Sequence, residues 1–346
     1  MRNIDRRTFL SAALGAVAAP CCARLTSAAQ LPASSPGRRW IDLHHHFAPP
    51  AWVTEVRGKP LLQPANTRWT VEQSIDDMDR GGVAAAVVSI TNPGLWFGDR
   101  EQTRRLARAC NDYGATLVRD HPTRFGLFAA LPLPDVDASL REIEYAYDTL
   151  KVDGIGLYTS YGDTWLGNPA FEPVMAELNR RKALVTVHPT AAECCRNLAY
   201  APNIGPGTIE YGTDTTRAII GVTFGGDATR YPDIRFIWSH AGGSAPFLAG
   251  RIDGASANAK QALPDGFIAA FKRFHFDVAG AANRGAMASL TQWVPVSQIV
   301  FGTDFPPAGP SLDVVKSLAE IGFSNADLRA IDRENALRLL PRLAAS

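Results

Sequence analysis

The chain has 346 residues, 46% hydrophobic and 20% charged, and its 35 basic and 34 acidic side chains leave a net charge of +1. That length holds one barrel domain of roughly 250 residues with loops and a leader to spare. Near-neutral charge without a long block of one sign gives no support for nucleic-acid binding, and a general enzyme is the starting expectation.

Residues 1–29 read as a twin-arginine signal peptide. A basic start with Arg6-Arg7 precedes an apolar stretch too short to span a bilayer, and Ser27-Ala28-Ala29 offers a small-residue cleavage site. Thr8-Phe9-Leu10 follows the arginine pair as in that export signal. A general secretory signal with a chance arginine pair competes, as does a lipoprotein site at Cys21 that Pro20 weakens. The expectation is a periplasmic or secreted protein with no stable membrane anchor after processing. Cys21 and Cys22 leave with the leader. Cys110 and the vicinal Cys194-Cys195 remain, an odd set with no disulfide framework and no Cys-x-x-Cys site, so packing is their expected role.

A Pro/Ser-rich linker at 30–37 leads into one domain at 38–342. Apolar runs at 40–43, 83–90, 125–131, 154–158, 184–187, 234–239, 274–278 and 299–303 predict strands. Helical patterns at 102–118, 138–150, 171–181 and 312–321 lie between or after them, with Asn168-Pro169 and Pro310-Ser311 as helix entries. Eight continuous apolar runs alternating with helices predict an α/β fold of the (β/α)8 TIM-barrel kind. A doubly wound open sheet fits the same alternation.

His44 and His46 follow the first strand in Ile41-Asp-Leu-His-His-His46. His188 ends the fifth, His240 the sixth and Asp304 the eighth. In a barrel all five converge on the C-terminal mouth, where active sites form. Positions i and i+2 of a strand face one side, so His44 and His46 can share an ion while His45 points away. Neutral imidazoles with a carboxylate suit Zn2+ or a similar divalent ion such as Mn2+, with a position open to water. Each histidine alone is more often packed or solvated. Placement at four strand ends together carries the metal reading.

These motifs resemble the decarboxylase branch of the amidohydrolase superfamily, from Trp40 to about Leu340. The most telling are His240-Ala-Gly-Gly-Ser-Ala-Pro-Phe-Leu-Ala-Gly-Arg251 and Phe301-Gly-Thr-Asp-Phe-Pro306. The stretch Leu157-Tyr-Thr-Ser-Tyr-Gly-Asp-Thr-Trp-Leu-Gly-Asn-Pro-Ala-Phe-Glu-Pro173 is most similar to the 6-methylsalicylate decarboxylases. The resemblance implies metal ligation by His44, His46, His188 and Asp304, with His240 handling protons or holding water beside the ion. Arg251 matches an arginine that in some members enters the neighbouring subunit's site to bind a substrate carboxylate, which implies a homodimer. A buried ion pair would explain Arg251 as well. Binuclear members carry a carbamylated lysine at the end of strand four. Here that strand ends Gly156-Leu157-Tyr158 and Lys151 lies at its other end, so one divalent ion per chain is expected. Some decarboxylases of the branch have Glu in place of His44, so this site carries one negative charge fewer.

Three further positions are candidates. Tyr158 is placed to contact an aromatic substrate, and packing explains it equally well. Asp277 either orients a ligand histidine or makes a structural hydrogen bond. Asp42 ties down strand one. The implied reaction is metal-dependent, non-oxidative decarboxylation of a small aromatic hydroxy acid such as 6-methylsalicylate, with His240 or Asp304 delivering the proton. Opening of a lactone or amide by the same kind of site, and binding without turnover, are the rival functions.

Overall fold

A computed structural model describes residues 40–190 and 204–346. The expected leader at 1–29, the linker at 30–37 and the Cys194-Cys195 pair lie outside the described residues. Eight parallel strands make the inner layer: β1 (Trp40–His46), β2 (Val83–Ser89), β3 (Phe125–Ala130), β4 (Gly154–Tyr158), β5 (Leu184–His188), β6 (Arg235–Trp238), β7 (His275–Asp277) and β8 (Ile299–Val300). Their order in the sheet is their order in the chain, as a (β/α)8 barrel requires and a doubly wound sheet does not.

Helices fill the crossovers. α1 (Pro50–Val56) and α2 (Val71–Gly81) precede β2, α3 (Arg100–Asp120) precedes β3, and α4 (Val136–Glu144) precedes β4. α5 (Glu172–Arg180) precedes β5, and α6 (Glu210–Phe224) with the short α7 (Asp227–Arg230) precedes β6. α8 (Ala245–Ala255) and α9 (Phe267–Phe271) precede β7, α10 (Arg284–Thr291) precedes β8, and α11 (Ser311–Ile321) follows it. Side-chain caps start several of them: Thr70, Asp99 and Asn283 accept from the N–H groups of Gln73, Gln102 and Ala286. No helix among the described residues is long and apolar enough to cross a membrane.

Two strands differ from the sequence expectation in ways that matter to the site. β1 runs on through His46, so the histidine triplet belongs to the strand itself. β8 pairs with β7 only over Ile299–Val300, because the chain then leaves the ladder to reach β1. That last seam of the ring closes by separate hydrogen bonds. Leu43 N–H donates to the Phe301 carbonyl at 3.0 Å, and His46 N–H to that of Phe305 at 2.8 Å. Thr303 and Asp304 N–H both donate to the His44 carbonyl, at 3.2 and 2.7 Å.

Ile41, Leu43, Ala85, Val87, Phe128, Leu184, Ile237 and Val300 pack together inside the ring, and Leu339, Leu340 and Leu343 join them. The C-terminal segment therefore plugs the barrel end opposite the histidines, leaving the other end for chemistry. Cys110, on α3, is buried in the larger apolar cluster between strands and helices, which is the packing role expected of it.

Candidate metal centre

The strand ends bring four side chains to one point. His44 Nε2 lies 3.1 Å from His46 Nε2. Asp304 Oδ1 lies 2.9 Å from His46 Nε2 and 3.5 Å from His44 Nε2. The His188 ring stands 5.2 and 4.8 Å, centroid to centroid, from those of His44 and His46. Two donors bound to one tetrahedral zinc at about 2.0–2.1 Å sit roughly 3.3 Å apart. The 2.9, 3.1 and 3.5 Å separations bracket that spacing. Among the described residues this is the one group of His, Cys, Asp or Glu with metal-ligand spacing.

The hydrogen bonds behind the rings decide which nitrogens are free. His46 Nδ1 donates to the Ser89 carbonyl at 3.2 Å, His188 Nδ1 to that of Pro189 at 2.8 Å, and His240 Nδ1 to that of Ala279 at 2.9 Å. A carbonyl only accepts, so each of these rings carries its proton on Nδ1 and leaves an Nε2 lone pair at the centre. His44 Nδ1 donates to Asp277 Oδ2 at 2.8 Å, with the same result. His188 Nε2, His240 Nε2 and Asp304 Oδ1 are buried with no hydrogen-bond partner among the described residues. Buried acceptors converging without a donor fit a cation.

Electrostatics agree. Burial, reinforced by neighbouring His46 and His44, holds His188 well below the usual imidazole range. Burial also lowers His46. Burial opposes charge on His44 too, but Asp277 and then Asp304 outweigh it and raise that ring well above its ordinary value. Burial alone would raise the Asp304 carboxyl, yet His44 and His46 hold it well below the carboxylate range. The carboxylates of Asp277 and Asp304 thus favour positive charge at the centre.

Backbone shape fixes these directions. Asp304 and His240 both have left-handed φ, 58° and 54°, which costs a non-glycine residue about 1–3 kcal/mol each. Asp304 N–H is held by the His44 carbonyl at 2.7 Å, and His240 N–H by Asp277 Oδ1 at 2.9 Å. Gly302 lets β1 and β7 meet at this level, since a Cβ there would lie 2.7 Å from His44 Cβ and 3.0 Å from Asp277 Cβ. His45 turns away from the centre, as its place in the strand requires. It is fully buried, with Nδ1 3.1 Å from Asp42 Oδ2 and Nε2 2.9 Å from Ser74 Oγ.

A cavity of about 520 Å³ opens onto the centre, its wall including His188, His240 and Asp304. Two residues expected at the substrate are not in that wall. Tyr158 is packed behind His188, and its hydroxyl donates to the Ile90 carbonyl at 2.9 Å, fixing the loop after β2 instead of facing a substrate. Arg251 lies exposed on α8 and makes no ion pair within the described chain, so the buried-pair explanation does not apply. The wall also contains Asn92, Gln63, Tyr211 and Asn283, which the sequence did not single out. Asn92 stands just past a strand end, the one signal that could have marked it.

The amidohydrolase family model matches residues 41–342. The chain belongs to that family. Among its relatives, the decarboxylase yanB of Aspergillus niger is 36% identical over 322 residues, 87% of each chain. The 6-methylsalicylic acid decarboxylase of Penicillium expansum is 33% identical over 323 residues, 88% of this chain and 96% of the relative. A dihydroxybenzoic acid decarboxylase of Polaromonas, solved with bound manganese and the inhibitor 2-nitroresorcinol, superposes with a TM-score of 0.75 at 22% identity, over 87% of this chain and 96% of that one.

Asp277 and Asp304 raise His44 well above its ordinary value, whereas burial lowers His46 and His188, so His44 is the ligand expected to compete for a proton with the ion. Binding a divalent ion is therefore expected to release about one proton, and affinity should rise roughly tenfold per pH unit as long as that proton is in place. Calorimetry in two buffers of different ionisation enthalpy counts the proton. No release at pH 7, with affinity flat between pH 6 and 8, would refute this electrostatic account.

Proposed function

We propose that this amidohydrolase-family enzyme is a metal-dependent, non-oxidative decarboxylase of an aromatic hydroxy acid such as 6-methylsalicylate. One observation carries it: His188 and Asp304, of the cluster His44, His46, His188 and Asp304, share a cavity wall with His240, whose Nε2 has no partner among the described residues. The relatives of 36% and 33% identity, both named decarboxylases, support the reaction class. Zinc suits three neutral imidazoles and one carboxylate, with manganese, present in the Polaromonas structure, as the second choice.

When bound, the ion supplies a Lewis acid that orients and polarises an oxygen-bearing substrate. Pro246, Phe247, Ala281, Ala286 and Pro307 give the cavity an apolar side for an aromatic ring. His240 handles the proton. Its Nδ1 is held by Ala279, so a proton gained from solvent resides on Nε2, facing the cavity. Transfer of that proton to the ring carbon bearing the carboxylate opens a place for electrons. The carbon–carbon bond then breaks, its electron pair restores the aromatic ring, CO2 leaves and His240 ends neutral. Asp304 is the poorer donor, because His44 and His46, against the effect of burial, keep it ionised.

Arg251 completes the charge balance from outside the chain's own site. No Lys or Arg is found among the described residues that line the cavity. Arg251 is exposed one helical turn beyond Phe247, itself 83% exposed at the cavity wall. We assign Arg251 to the cavity of a second copy, in a homodimer, where its fork would meet the substrate carboxylate. The leader is assigned to twin-arginine export into the periplasm or beyond, a route for folded proteins that lets metal enter before transport.

Incubation with 6-methylsalicylate is expected to release one CO2 per 3-methylphenol, with solvent deuterium at the ring carbon that lost the carboxylate. His240→Ala should slow this by about 10²–10⁴ with metal retained. Inert hydroxybenzoates, together with a lactone or amide opened with solvent oxygen in the product, would assign a hydrolase instead. Arg251→Ala should raise KM, and mixing it with His240→Ala chains should restore part of the activity through hybrid sites. A fully active monomer at assay dilution excludes the crossing arginine. For export, the double change Arg6→Lys and Arg7→Lys should strand the precursor in the cytoplasm. Normal periplasmic arrival of that variant would reassign the leader to the general secretory route.

A further inference from the structure

The loop after β2 holds a polar group that the reaction scheme leaves unused. Asn92 is 2% exposed and lines the cavity beside Thr91 and His188. Its Nδ2 donates to the Pro189 carbonyl at 3.0 Å, the same oxygen that accepts from His188 Nδ1 at 2.8 Å. Turning the amide over would set oxygen against oxygen, so its orientation is fixed. Asn92 Oδ1 then has no donor among the described residues. Its loop is held in place from two sides: Tyr158 Oη donates to the Ile90 and Thr91 carbonyls at 2.9 and 3.2 Å, and Trp52 Nε1 to the Gly94 carbonyl at 2.9 Å. The side chain has no easy way to withdraw.

A buried acceptor left without a donor costs about 1–3 kcal/mol. Such a cost at a cavity wall is offset when a ligand brings the missing hydrogen. The group accepts only, so a substrate carboxylate would be repelled from it and a neutral O–H drawn to it. We infer that Asn92 Oδ1 accepts a hydrogen bond from the ring hydroxyl of the substrate, and that it selects hydroxy acids over their ethers. Resting on the proposed decarboxylation, this inference adds the residue that reads the hydroxyl and the form in which it is read, with its proton in place. It also ties recognition to the centre, because the amide that meets the hydroxyl shares its carbonyl anchor with a ligand histidine. A site built around a fixed hydrogen-bond partner rejects the analogue that lacks it far more strongly than an apolar pocket rejects a missing methyl.

The metal-loaded enzyme is tested with 6-methylsalicylate and its O-methyl ether, and with the ligands 3-methylphenol and 3-methylanisole. Wild-type enzyme should prefer the hydroxy acid by roughly 100-fold in kcat/KM and bind the phenol at least about tenfold more tightly than the anisole. In Asn92→Leu and Asn92→Ala both ratios should fall to within a few-fold. Most of the loss should come from a raised KM for the hydroxy acid, with metal content unchanged. Ratios that persist in either folded variant would show that another group reads the hydroxyl. Equal wild-type affinity for phenol and anisole would overturn the inference without any variant. The two readings separate cleanly: absence of CO2 release with the binding preference intact removes the decarboxylation and keeps the acceptor, whereas CO2 release with unchanged ratios does the reverse.

Discussion

The centre depends on the seam where the last strand is tied to the first. β8 pairs regularly for only two residues, so an extended ladder does not hold Asp304 against β1. Asp42 does part of that holding. Its Oδ1 accepts from the N–H groups of His44 at 2.9 Å and Thr303 at 3.2 Å, and its Oδ2 from Thr303 Oγ1 at 2.5 Å. A carboxylate buried this deeply is costly unless its lone pairs are satisfied. His45 Nδ1, 3.1 Å from Oδ2, supplies a further donor, which gives the middle histidine of the triplet a structural purpose. The bonds that close the barrel are therefore also the bonds that set Asp304 beside His46.

A second constraint follows from the acceptors behind the rings. His46, His188 and His240 lean on neutral carbonyls, whereas His44 leans on Asp277. That difference makes His44 the most basic of the ligands and brings a second carboxylate to the centre beside Asp304. A divalent cation balances the two. A carboxylate substrate then adds a negative charge that the described cavity wall, without Lys or Arg, does not offset. In the proposed reaction a proton carried by His240 would do so within the chain and would be given up in the step that removes the carboxylate. Charge balance and the acid role point to the same residue.

Much of this was legible in the sequence because the ligands obey strand geometry. His44, His46, His188 and Asp304 end apolar runs, and side-chain alternation on β1 separates His45 from its neighbours. Tyr158 obeys the same rule of position and still faces elsewhere. At a strand end a long ring can lean over the mouth or onto the adjoining loop, and the Ile90 and Thr91 carbonyls capture its hydroxyl. Asn92 was hidden by its context, since Thr-Asn-Pro-Gly reads as turn chemistry. Helix α6, which begins at Glu210 and brings Tyr211 to the cavity, was also missed. Its threonines are weak helix formers, and the hydroxyls of Thr213, Thr215 and Thr216 donate to carbonyls four residues back in a way that no periodicity announces.

Backbone shape explains why His240 can be rigid without being tightly packed. From His240 to Gly243 four consecutive residues have positive φ, an arrangement that L side chains avoid. The turn survives because Asp277 Oδ1 takes the His240 N–H and because Gly243 lies against α6, where a Cβ would stand 2.1 Å from the Gly212 carbonyl oxygen. The direction of the His240 ring is thus set by the main chain and by Ala279, and its Nε2 needs no contact to stay aimed at the cavity. The proposed reaction and selection would then fall to different parts of the molecule. On the proposed function, strand ends β1, β5, β6 and β8 hold the reacting groups, while the loop after β2 and the exposed face of α8 would meet the substrate's substituents. Such a division lets substrate choice change through loops without disturbing the centre.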